Sequence, residues 1–104
     1  MAKQTISIKQ GQSFTIQETV TGAESLEGYT AKMYIKTKDG TEVDTITGTI
    51  VGLVITYEAL NEDTKVYPVD NHEFETWAFD ASDHAEPISE GAFIVRRALT
   101  NDPS

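Results

Sequence analysis

The residues able to do chemistry are few, and their spacing speaks against most reactions. Asp80-Ala-Ser-Asp83-His84-Ala-Glu86 gathers oxygen ligands and one imidazole within seven residues, the raw material of a divalent-cation site. A calcium loop needs several carboxylates converging around a glycine-assisted bend. No glycine lies in this run, so a solvated turn is expected. Ser13, Ser25, Ser82 and Ser89 offer hydroxyls, yet none sits in a G-x-S-x-G elbow. Glu73 and Glu75 project from one strand face. With nothing to desolvate one of them, they stay ordinary acids and do not divide into an acid and a base. No glycine-rich phosphate loop, HExxH or dinucleotide fingerprint occurs. The chain is therefore expected to have no catalytic residue, metal or cofactor, and not to be an enzyme.

Aromatic side chains are more informative. In HEFETWAFDA (72–81), alternation sends Phe74 to one face and Trp77 with Phe79 to the other. Tyr34 stands between Lys32 and Lys36, opposite the apolar stripe of its own strand. Tyr34, Trp77 and Phe79 form either a cluster closing the rim of the fold or an exposed contact patch, since aromatics are enriched in interface cores. A sugar-stacking surface would draw on the same three.

The elements that position these residues read as strands. From Gly28 to Gly40, Tyr29, Ala31, Met33 and Ile35 alternate with Thr30, Lys32, Tyr34 and Lys36, one face packed and one wet. Asp39-Gly40 suits a tight turn after it. Residues 5–9 and 13–20 alternate in the same way, with Glu18 as an acid in the apolar register, expected either near the strand end where it reaches water or at a bulge that shifts the register. Leu26 is expected as a plug under the sheet. Residues 45–57 read as a hairpin in which Gly48 marks a bulge or a close neighbour. Only 58–68 is helix-like, for one or two turns, with Leu60, Thr64 and Val66 as anchors. The last strand covers 88–99. About seven short strands separated by turns predict an all-β, Ig-like antiparallel sandwich, one domain over 1–104 with flexible ends at 1–4 and 100–104. TITGTIV (45–51) and HEFETWAF (72–79) contain neither Pro nor Lys and are expected at open edges, available for self-association or docking.

Lys and Arg total 8 against 17 Asp and Glu, a net charge of −9. Such a chain repels nucleic acid and lacks a basic stripe; a partner with a basic surface is the specific alternative to simple solubility. There is no cysteine, hence no disulfide or thiolate metal site. MAKQTISIKQ contains no apolar run resembling a signal peptide, and no segment approaches membrane-spanning length. Synthesis in the cytoplasm, without a membrane partner, is expected.

Several short words then resemble the N-terminal β domain of phage baseplate upper proteins and related tail-fibre modules. Gly11-Gln12-Ser13-Phe14 is similar to an opening "GDTF" element, and Leu26-Glu27-Gly28-Tyr29 to an "LTGY" element. Leu60 to Thr64 (LNEDT) is similar to a short helical passage. Gly91-Ala92-Phe93-Ile94-Val95 is similar to a Gly-initiated last strand, closed by Leu99-Thr100. Gln12 and Glu27 depart from the pattern. The resemblance implies an Ig-like building block of a virion or prophage particle, in a tail, baseplate or fibre. Its partners would be other phage structural proteins or further copies of itself, and it would be made in the host cytoplasm before joining the virion. The resemblance implies no catalytic residues.

Overall fold

The computed structural model describes residues 2–21, 25–82 and 84–97. Period-two alternation becomes eight strands: β1 (Ala2–Lys9), β2 (Phe14–Thr19), β3 (Thr30–Lys36), β4 (Glu42–Thr47), β5 (Thr49–Val51), β6 (Val54–Ala59), β7 (Asp70–Phe79) and β8 (Ala85–Arg96). One helical turn, α1 (Asn61–Thr64), separates β6 from β7. A five-stranded sheet in the order β1-β8-β7-β3-β4 packs on a three-stranded sheet in the order β2-β6-β5. Neighbouring strands are antiparallel except β1 and β8, which run parallel.

The core lies between the sheets, because each strand sends alternate apolar residues inward. In β3 the buried side chains are Ala31, Met33 and Ile35, while Lys32 and Tyr34 point out. Leu26 is buried as expected. Phe93 of β8 anchors the centre, with its ring centroid 5.5 Å from Phe14 and 6.2 Å from Tyr67. These tilted and edge-on arrangements suit aromatic quadrupoles.

Four expectations are corrected. Among the described residues there are eight strands, because TITGTIV is not one strand. The Gly48 N–H donates to the Ala31 carbonyl at 2.8 Å, and a Cβ at Gly48 would fall 2.6 Å from Ile55 Cγ2 and 2.9 Å from Tyr57 Cε1. The chain crosses between layers where only a glycine fits, so β4 joins one sheet and β5 the other, and the hairpin shrinks to β5–β6. β7 is no edge: it pairs with β3 on one side and β8 on the other. In the helical passage Thr64 and Tyr67 are buried, whereas Leu60 and Val66 are 49% and 74% exposed. A four-residue helix turns too briefly to bury both anchors. Finally, 2–4 are not a loose end, because they pair with 89–91. Asp83, Leu99 and 100–104 lie outside the described residues.

Candidate interaction face

Strand register assembles the face. Across the β3–β7 ladder Thr30 stands opposite Phe79, Lys32 opposite Trp77 and Tyr34 opposite Glu75. The inward positions of β7 are buried His72, Phe74, Thr76 and Ala78. Tyr34, Trp77 and Phe79 therefore all project from the outer surface of the five-stranded sheet, half-buried, on three successive outward rungs. The structure brings the three together. Lys32 lies among them, its Nζ 6.0 Å from the Phe79 ring centroid, at the outer reach of a cation–π contact.

Beside this strip the β7–β8 ladder sets Glu75 directly opposite Glu90. Like charges in that relation disfavour the pairing locally. Tyr34, Lys36, Glu73, Glu75, Glu90 and Ile94 help line a groove of about 730 Å³ on this face. An aromatic strip edged by carboxylates and by Lys36 and Lys38 can bury a flat or aliphatic group and pair with charges of either sign. Among the described residues it holds no nucleophile with a base beside it.

The remaining candidates have structural partners. Ser89 is buried, and its hydroxyl donates to Glu18 Oε2 at 2.8 Å. With that hydrogen committed, Thr76 Oγ1, 2.6 Å away, is the donor to Ser89. The fully buried Tyr57 hydroxyl lies beside Glu18 and Thr76 but outside hydrogen-bonding geometry with either. Burial first, then the Glu18 charge, push its pKa up. Tyr67, also buried, donates its hydroxyl to Asp44 Oδ2; burial and then that bond raise its pKa. His72 is in the core, and its Nε2 lies 2.8 Å from the Pro68 carbonyl oxygen, so Nε2 carries the proton.

Ser13, Ser25 and Ser82 are exposed, as are Glu73 and Glu75. Where β7 leads into β8, Asp80 Oδ1 accepts the amide hydrogens of Ser82 (2.8 Å) and His84 (2.9 Å), and Ala85 and Glu86 already belong to β8. Those bonds, the His84 amide first, hold the Asp80 carboxyl below the usual carboxylate range. Among the described residues no three His, Asp or Glu side chains converge for a metal. Sequence reasoning missed Asp44, which reads as part of a polar turn, and the buried contacts of Glu18; the signal for the latter was its place in an apolar register.

No family model matches the chain, and no curated protein matches it. Among solved structures it is similar to the fibronectin(III)-like modules of Clostridium thermocellum CbhA. The identity is 16% and the TM-score 0.54, over 94% of this chain and 93% of that one. The fold is an Ig-like β-sandwich. Such sandwiches carry many unrelated functions, so this likeness speaks for the fold, and function has to be argued from the face.

Proposed function

We propose that the chain is a non-catalytic docking module, a structural part of a tailed-phage or prophage particle that works by protein–protein contact through the outer face of its five-stranded sheet. The observation that carries this reading is the gathering of Tyr34, Trp77 and Phe79, from strands far apart in sequence, onto adjacent rungs of one half-exposed surface. Aromatic anchors of this kind dominate interface energetics, with truncation of the best costing about 2 kcal/mol or more. Glu73, Glu75 and Glu90 lie beside them together with Lys36 and Lys38, so the surface suits a partner offering charges of both signs.

The phage setting draws support from the order of the resembling words. GQSF leads into β2, LEGY into β3, LNEDT ends in α1, and GAFIV lies within β8. The last word departs from the pattern, since β8 begins at Ala85 rather than at Gly91.

The test is incorporation. Particles are purified from a host carrying the gene and probed for the chain, as wild type and as Trp77→Ala and Phe79→Ala with folding checked by circular dichroism. The chain should be present, and the variants depleted. Absence of the wild type removes the virion reading, and normal incorporation of both variants removes this face. Glycan binding by the wild type that both substitutions abolish would move the assignment to a carbohydrate-binding module.

A further inference from the structure

Among the described residues, four strands have one side of their backbone unpaired: β1 and β4 in the larger sheet, β2 and β5 in the smaller. Such edges recruit further strands unless something prevents it. β5 is three residues long, a poor template. β1 ends in exposed Lys9, a charge that discourages pairing. β2 and β4 are six-residue strands with neither Pro nor Lys, and each carries a carboxylate in its inward stripe. In β2, Phe14 and Ile16 are followed by Glu18; in β4, Ile46 is preceded by Asp44, opposite buried Ile35.

The two sites share a plan, although Tyr67 donates to Asp44 while the Tyr57 hydroxyl makes no bond to Glu18. Each carboxylate points at a tyrosine that is essentially fully buried, Glu18 at Tyr57 and Asp44 at Tyr67. Each is held inward by a hydroxyl donor, Ser89 for Glu18 and Tyr67 for Asp44. Each still keeps partial exposure at the rim. Glu18 faces a seam groove of about 510 Å³ between the sheets, lined in part by Gln4, Val20, Ile88 and Ser89.

We propose that Glu18 and Asp44 close β2 and β4 to strand pairing with a second copy of the chain. A strand added along β2 would make β2 an interior strand and roof the seam groove. The Glu18 carboxylate, whose Oε1 is already buried without a partner among the described residues, would then be cut off from water with no cation to compensate it. An enclosed, unpaired charge is strongly unfavourable. Asp44 differs in that both its oxygens accept hydrogen bonds, from the Thr45 amide (2.8 Å) and the Tyr67 hydroxyl, yet a strand arriving at β4 would likewise strip its charge of the remaining contact with water. Without the acid, the β2 edge would attract one, because beyond it half-buried Ile6 of β1 continues the inner apolar surface. This inference concerns the edges and is independent of the outer aromatic face.

The test compares the full chain with Glu18→Val, Asp44→Val and the double variant, using sedimentation velocity and amide hydrogen exchange over a concentration series. The double variant should self-associate at least about tenfold more tightly than the wild type, with the new concentration-dependent protection falling on β2 and β4. Glu18→Gln and Asp44→Asn, which remove charge but keep shape, should associate to an intermediate degree and serve if the valine variants do not fold. The proposal is overturned if folded variants stay as monomeric as the wild type, or if their protection appears elsewhere. It is equally overturned if wild-type β2 or β4 amides gain protection with concentration. Wild-type association that leaves those amides unchanged supports it, since contact then runs through a face.

Discussion

A Cβ on Gly91 would lie 1.7 Å from the carbonyl oxygen of Gln4. At this rung of the parallel ladder, β8 and β1 meet backbone to backbone, and no side chain can intervene. Gly91→Ala must push β1 away from β8. The expected loss is about 2–3 kcal/mol of stability, with faster amide exchange in 4–9 than in β3 or β7. A variant that melts with the wild type and protects 4–9 equally would show that the two strands can separate at no cost.

The assignment of faces in β3 is checked by neighbouring residues. Met33 is 1% exposed, so Met33→Asp places a carboxylate in the core and costs several kcal/mol, roughly the whole stability of a small domain. Lys32 points outward, and Lys32→Asp should shift stability by about 0.5 kcal/mol or less. Similar thermal midpoints for the two would contradict the described register.

Tyr57 and Tyr67 predict sensitivity to alkali. Both hydroxyls titrate above their ordinary value of 10.0 in the folded chain. Below that value folded and unfolded states are alike neutral and the contribution is fully present. As pH rises beyond it, the unfolded chain ionises first, and stability falls. Unfolding midpoints should therefore decline above about pH 10. Tyr57→Phe and Tyr67→Phe together should make that decline shallower; an unchanged slope would remove these hydroxyls as its source.

Metal should not matter at Asp80. Asp80 Oδ1 is already engaged by two backbone amides, and its other oxygen lies 3.3 Å from His84 Nδ1. EDTA or millimolar calcium should leave the melting temperature unchanged. A saturable stabilisation by metal, lost in Asp80→Ala, would make the turn a binding site.

How much could be read in advance depended on the range of the interaction. The alternation in β3 spans seven residues and needs no partner to be recognised, so Met33 and Tyr34 were assignable to opposite faces. The same held for Trp77 and Phe79 in β7. That Tyr34 shares a surface with them rests on the β3–β7 register, a pairing between segments some forty residues apart that no local pattern encodes. TITGTIV reads as one strand because Thr and Ile suit either sheet. The break at Gly48 comes from Ile55 and Tyr57 crowding it from the other layer. HEFETWAF resembled an edge because it lacks Pro and Lys, yet its Glu73 and Glu75 face solvent from an interior strand. Asp44 was hidden for a similar reason: a polar residue near a turn says nothing about a tyrosine twenty-three residues away.

The parallel pairing of β1 with β8 has a mechanical side. Eight consecutive rungs join them, from Ala2 opposite Ser89 to Lys9 opposite Arg96. Tension applied between Ala2 and Arg96 would pull along the strand axis in opposite directions. The rungs would be loaded together in shear and could not be peeled one at a time. Forced unfolding is governed by the barrier to that collective slip, so a module of this geometry would carry load along its length better than it would resist being pried open from the side.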